Sequence, residues 1–295
     1  MSLIHVGEKK FCCRGLSISA KEWGIDGSMP VIALHGWLDN AATFDRIMPH
    51  IKGMHILAVD SAGHGLSDSR SPDATYDLLQ EIHDVTSIAK QMHWDHFSLI
   101  GHSRGALIAA LVAGAFPRLI RRLLMIDGHI SIAGKKHSAS RHFVKSVREE
   151  NLFSSSDPTF FTTFEDAVTA RANGFLPLEM GAAEVLAKRG VRKCDRGYFW
   201  NNDQRLKCSS ALRFTGGQMR DFFESIAAPT KMITASKGVF ANTKKNDQRT
   251  KKYINLRKHI KNFVEEKIHG GHHLHLESGA KDVAFAISQH FGSII

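Results

Sequence analysis

Proline and cysteine are scarce in this chain, at seven and four among 295 residues. Few prolines, with 43% hydrophobic and 23% charged residues, exclude an extensively disordered or low-complexity polypeptide. Cys12, Cys13, Cys194 and Cys208 lack metal-ligand spacing, so reduced, buried thiols are expected. Adjacent Cys12 and Cys13 are expected on opposite faces of a strand. No apolar run approaches the roughly 20 residues that span a bilayer, which argues against a transmembrane helix. Met1 to Cys13 has no apolar core of a secretory signal, which points to a cytoplasmic protein. Negative charge is also in deficit, 29 acidic against 39 basic side chains, for a net charge of +10. Much of that excess lies between Lys244 and Lys261, where Tyr253, Ile254, Leu256 and Ile260 interleave with lysine and arginine. The pattern reads as a helix with one apolar side and a solvated cationic side. No zinc-finger, helix-turn-helix or aromatic RNA-binding signature accompanies it, so nucleic acid is not the expected partner. Salt-sensitive binding of an acidic partner is the alternative use of that stretch.

The length suffices for one large domain with a sizeable core. Short apolar runs alternate with longer periodic ones in the first half, the pattern of a βα sheet. Val31 to Leu34, Ile56 to Val59, Phe97 to Ile100 and Leu123 to Ile126 are continuous apolar runs, as strands covered by helices on both faces should be. Tyr76 to Met92 and Arg104 to Ala115 read as helices between them, the second stopped by Pro117. Two further strands are expected at Lys231 to Ala235 and near Phe263 to Ile268. From about 131 to 225 the alternation stops and a polar, aromatic, mainly helical pattern takes over. It reads as an insertion, with the core formed by 1–130 and 226–295.

Gly101-His102-Ser103-Arg104-Gly105 joins an apolar strand directly to an Ala-rich helix. In that context G-x-S-x-G is a nucleophile elbow: a tight turn that projects the serine oxygen away from the sheet. Its glycines avoid collision with the neighbouring strand and helix. The helix amino terminus directs N–H dipoles at charge forming on a substrate oxygen. The Arg104 N–H is one candidate oxyanion donor. The second is the Trp37 N–H, in the His35-Gly36-Trp37 loop after the Val31 strand.

On such an elbow the acid and then the base follow the serine along the chain. Gly270-Gly271-His272-His273-Leu274-His275-Leu276-Glu277 lies on a loop after a late strand, before a helix beginning near Ser278. His272 is the candidate base over His273, because the paired glycines give its loop room beside the serine. Metal binding by His272, His273 and His275 is the rival use of the cluster, but the spacing is not that of a zinc helix. The Lys231 to Ala235 strand ends in Ser236-Lys237-Gly238 and offers no carboxylate. Asp127, at the end of the preceding strand, is therefore the candidate acid. Asp60 precedes the serine and is expected to anchor the Ser61 to Ser67 loop, and Asp247 lies far from a strand end. In the insertion, Phe160, Phe161, Phe199 and Trp200 are expected to supply several pocket-lining aromatics.

These motifs, with Asp60-Ser61-Ala62-Gly63-His64-Gly65-Leu66-Ser67-Asp68, resemble the α/β-hydrolase superfamily of capped esterases and epoxide hydrolase- or dehalogenase-like enzymes. Serine at the nucleophile position argues against the two branches that use aspartate, and implies acyl transfer. The resemblance is closest to the serine hydrolase-like protein family. It rests on His35-Gly36-Trp37-Leu38-Asp39-Asn40, the elbow, Gly197-Tyr198-Phe199-Trp200 and Asp203-Gln204-Arg205-Leu206. It implies an α/β-hydrolase fold: a mostly parallel central sheet flanked by helices, with an inserted helical cap. The serine mechanism is expected to act on a small-molecule, ester-like substrate and to need neither metal nor organic cofactor. A catalytically silent binding protein of the same fold is the alternative. Arg104 departs from the small or apolar residue common after the serine; its side chain could pair with a buried carboxylate or meet an anionic substrate. Eukaryotic relatives are associated with peroxisomes, but Gly292-Ser293-Ile294-Ile295 is no such terminal address.

Overall fold

The structure, a computed structural model, describes residues 5–128, 139–239, 241 and 258–292. Asp247 and most of the cationic stretch lie outside the described residues. The chain opens with a hairpin of β1 (His5–Cys13) and β2 (Leu16–Gly24). Arg14 and Gly15, at φ 53° and 84°, make its two-residue turn. Alternation puts Phe11, Cys13, Ile18 and Ala20 into the core and leaves Cys12 exposed, so the adjacent cysteines do face opposite ways. Cys12 and Cys194 are exposed, against the expectation of buried thiols.

The parallel strands follow: β3 (Met29–Leu34), β4 (Met54–Val59), β5 (Phe97–His102) and β6 (Ile120–Ile126). α1 (Leu78–Gln91) precedes β5 and α2 (Arg104–Ala115) follows it. α1 starts two residues later than its apolar pattern, because the Asp77 side chain caps it by accepting from the Leu79 and Gln80 N–H groups. After β6, residues 139–225 hold α3 (Ala139–Phe153), β7 (Phe160–Phe161), α4 (Phe164–Ala172) and α5 (Met180–Gly190). β8 (Val191–Cys194), β9 (Gly197–Trp200) and α6 (Gly216–Ser225) complete that stretch. The core resumes with β10 (Thr230–Ala235), β11 (Phe263–Ile268) and α7 (Ala280–Phe291).

The eight-stranded sheet has the order β1-β2-β4-β3-β5-β6-β10-β11, parallel from β4 onward. Helices cover both faces, which is why the central strands read as unbroken apolar runs. On one face Ile82, Val85 and Ile88 of α1 pack with α2 and with Met219 and Phe223 of α6. On the other, Phe44, Ile47 and Met48 pack with Val283, Ile287 and Phe291 of α7. Each fully buried Leu, Ile or Phe stabilises the fold by roughly 1.5–3 kcal/mol.

Residues 139–225 are mainly helical, as expected, but they also hold a three-stranded sheet of β7, β9 and β8 that the sequence reading did not include. Its small core joins Ala167 and Val168 of α4 to Leu186 and Ala187 of α5. Leu276, from the histidine loop, inserts among them. The buried Arg189 guanidinium also ties this layer down, at 2.9 Å from Asp60 and 2.7 Å from Glu8.

Candidate active site

The register of four strands brings the site together. Leu34 of β3 pairs with Gly101 of β5, His102 with Ile126 of β6, and Ile126 with Ile233 of β10. The residues that follow these positions emerge side by side at the carboxyl edge of the sheet, where ligands of open α/β sheets bind. The Ser103 N–H donates to Ile126 O at 3.0 Å and the Asp127 N–H to Ile233 O at 2.7 Å.

Ser103 has φ 52° and ψ −113°, a conformation costly for a non-glycine residue. Close packing imposes it. A Cβ on Gly101 would stand 2.4 Å from Gly105 O, and one on Gly105 would stand 2.1 Å from Leu34 O. The helix must approach the sheet that closely, so the serine between them takes the sharp turn. Arg104 is the first residue of α2, where an N–H has no intrahelical acceptor. Its guanidinium pairs with Glu81 of α1, which also accepts from Ser61 Oγ at 3.2 Å. Of the two uses considered for this side chain, pairing with a buried carboxylate is the one observed.

Gly36 to Asp39 forms a turn, closed by the Asp39 N–H to Gly36 O at 3.2 Å, with Leu38 at φ 60°. The Leu38 N–H donates to His64 Nε2 at 3.3 Å, and His64 Nδ1 lies 3.0 Å from Ala62 O. Burial holds His64 well below the usual imidazole range, helped by His35 and Arg104, so it stays a neutral acceptor. Trp37 follows Gly36 in this turn and lines the cavity beside Ser103.

His272 Nδ1 stands 2.6 Å from Asp127 Oδ2, and both side chains are buried. Asp127 is held by the strand that lacks an acid of its own. Oδ1 accepts from the Ala235 N–H and Oδ2 from the Val239 N–H, each at 3.0 Å. A Cβ on Gly238 would stand 2.2 Å from Oδ2, so the Ser236-Lys237-Gly238 loop wraps over the carboxylate because glycine is there. Asp60 does the anchoring expected of it, accepting from Leu66 N at 2.8 Å and Ala41 N at 2.7 Å.

Ser103, His272, His273 and Trp37 line one cavity of about 270 Å³, with Ala170, Arg171, Gly174, Phe175 and Leu176 completing its walls. Its aromatics are Trp37 and Phe175. Phe160, Phe161, Phe199 and Trp200, expected there, pack the small sheet instead. Phe160 packs against Phe199 in a tilted arrangement with ring centroids 5.6 Å apart, Phe161 pairs with Tyr198 across the strands, and Trp200 Nε1 donates to Ala167 O at 3.1 Å.

Three participants had no role in the sequence reading: Asp39, His102 and Arg171. Arg171 Nη2, from α4, lies 2.8 Å from Asp39 Oδ1 and 3.1 Å from His273 Nε2, itself 3.2 Å from Asp39 Oδ2. Burial acts to raise the Asp39 pKa, but His273, Arg171 and His102 outweigh it and hold the carboxyl well below its ordinary range. His102 donates toward His272 O at 3.1 Å, which supports the histidine loop from below. Burial holds His102 and His275 well below the usual imidazole range, and neighbouring histidines push the same way. Asp39 sits in the His35 to Asn40 motif and so had a visible signal, whereas Arg171 had none.

The nitrogens of His102, His272 and His273 lie within 4.8 Å of one another, close enough to share a metal ion after small movements. His275, of the trio considered from the sequence, turns instead to Thr43 Oγ1 at 2.8 Å. The neighbouring Arg171 guanidinium opposes a divalent ion at that place.

A family model described as the alpha/beta hydrolase fold matches residues 29–279. A serine hydrolase-like protein of Dictyostelium discoideum is 30% identical over 287 residues, covering 93% of this chain and 77% of that protein. Serine hydrolase-like protein 2 of Homo sapiens is 30% identical over 207 residues, covering 68% of this chain and 65% of that one. Among solved structures, a hypothetical protein of Pseudomonas aeruginosa superposes with a TM-score of 0.88 at 35% identity, covering 98% of this chain and 99% of that chain. No helix among the described residues is long and apolar enough to cross a membrane.

Proposed function

The chain belongs to the α/β-hydrolase fold family, and from that premise we propose that it is a cytoplasmic serine hydrolase cleaving a small carboxylic ester through an acyl-enzyme. In this reading His272 Nε2 takes the Ser103 proton as Oγ attacks the ester carbonyl. Asp127 accepts the Nδ1 proton, which fixes the tautomer and stabilises the imidazolium that forms. The Trp37 and Arg104 main-chain N–H groups receive the developing oxyanion. The same histidine returns its proton to the leaving alcohol, then activates the water that releases the acid. Residues 139–225 act as the cap over this chemistry.

The observation that carries the proposal is the 2.6 Å approach of His272 to buried Asp127, with His272 and Ser103 in the walls of one cavity. A fluorophosphonate probe tests it, because an activated serine attacks its phosphorus, releases fluoride and becomes phosphonylated. Labelling of the wild-type protein and its loss in Ser103→Ala are the expected results. Undiminished labelling of the variant would assign the nucleophile elsewhere, and no labelling of the wild type would favour a silent binding protein.

A further inference from the structure

The cavity walls are mostly apolar, with Trp37, Leu38, Phe175 and Leu176 around the Ser103 and His272 side chains. Into this surface comes one ion pair, Arg171 with Asp39, and its two ends are unequally placed. The Asp39 side chain is 1% exposed, and that of Arg171 is 16% exposed. Both residues line the cavity, and the positive end is the more open of the two. A guanidinium has five N–H donors. One of Arg171 goes to Asp39 Oδ1, a second points at His273 Nε2, and a third reaches Leu176 O at 3.2 Å. Among the described residues the other two have no protein acceptor.

The cap has other tethers to the core besides this pair. Arg189 bridges to Asp60 and Glu8, Tyr76 Oη donates to Asp203 at 2.7 Å, and Leu276 is embedded in the cap core. Arg171 differs from these tethers in facing the reacting groups. A planar guanidinium with spare donors in an apolar surround matches a carboxylate. A dianionic phosphate would set a second negative charge against Asp39. The 270 Å³ volume suits a compact ligand, near the lower limit of small-molecule pockets.

We propose that this cavity takes a small ester that itself carries a carboxylate, bound by Arg171 while Ser103 and His272 address the ester carbonyl. The proposal rests on the cavity being the substrate site. Arg171 is then the residue that selects a half-ester of a short dicarboxylic acid over a neutral ester of the same size.

Calorimetric titration of the intact protein tests this without requiring turnover. The probes are succinamate, glutaramate and adipamate, whose amide stands in for the ester, each against the uncharged diamide of the same chain length. At least one half-amide is expected to bind about tenfold more tightly than its diamide, a difference of about 1.4 kcal/mol. Arg171→Met should abolish that difference and Arg171→Lys should keep part of it. Ethyl half-esters against neutral ethyl esters should show the same ratio in kcat/KM. Equal or tighter binding of the diamides at every length would overturn the proposal, and that wild-type comparison needs no variant to fold. Fluorophosphonate labelling separates the two readings. Labelled Ser103 without anion preference sinks the Arg171 site alone. Arg171-dependent binding without labelling sinks the hydrolase and leaves the anion site standing.

Discussion

Asp127→Asn removes one charge and, through the particular bonds of this carboxylate, has a calculable effect. Oδ2 receives two donors, His272 Nδ1 and the Val239 N–H, and Oδ1 receives one, from Ala235. An asparagine amide has a single oxygen, and the better orientation keeps it where two donors converge. The NH2 group then faces the Ala235 N–H, leaving a buried donor unpaired at about 1–3 kcal/mol in stability. The histidine keeps its tautomer in this orientation, so the rate loss comes from the missing charge beside the imidazolium. Two unit charges about 4 Å apart in an effective dielectric of about 20 interact by about 4 kcal/mol. That corresponds to a fall in turnover of about a thousand-fold, at 1.36 kcal/mol per tenfold. The opposite amide orientation would also invert the tautomer and bring the loss to about ten-thousand-fold. Hydrolysis of 4-nitrophenyl acetate and the rate of fluorophosphonate labelling measure the effect, with a thermal melt for stability. Turnover within tenfold of wild type in a folded Asp127→Asn protein would refute the assignment of the acid.

Gly238→Ala should lower turnover by more than about tenfold while the protein still folds, since the new Cβ would stand 2.2 Å from Asp127 Oδ2 and displace the carboxylate. Unchanged kcat would show that the loop yields instead. Gly105→Ala should destabilise by on the order of 3 kcal/mol, because its Cβ meets the carbonyls of Leu34 at 2.1 Å and His35 at 2.6 Å. A melting temperature equal to wild type would contradict the packing described for α2. His64, His102 and His275 are held neutral by burial, with folded pKa values below those of the unfolded chain. Below about pH 6.5 the unfolded chain therefore binds protons that the native state refuses, and stability is lost as pH falls. Each group contributes up to about 1.4 kcal/mol per pH unit, so the melting temperature should drop steadily from pH 7 to pH 5. A flat profile over that range would count against the buried neutral cluster.

The central strands and the elbow were legible in the sequence because their causes are local. β3 to β6 and β10 lie between helical layers, and most leave continuous apolar runs at the positions expected, while β11 is a partly exposed edge strand. Gly101 and Gly105 flank Ser103 because the strand-to-helix turn needs them within five residues. The β1–β2 hairpin was absent from that reading although its alternation and the Arg14-Gly15 turn were present, since a half-buried strand carries a weaker signal. Asp127 could be chosen by elimination, but not the N–H groups of Ala235 and Val239 that hold it. Those depend on the Gly238 loop closing over β6.

Long-range placement was decided by the tertiary structure alone. Phe160, Phe199 and Trp200 have the composition of a pocket, yet their strand pairing turns them into the packing of the small three-stranded sheet. Arg171 and Asp39 lie 132 residues apart, with no motif linking them. They meet because α4 folds back over the carboxyl edge of the sheet. Local spacing encodes a turn or a strand, whereas a buried charge finds its partner only when separate elements pack and exclude the water between them.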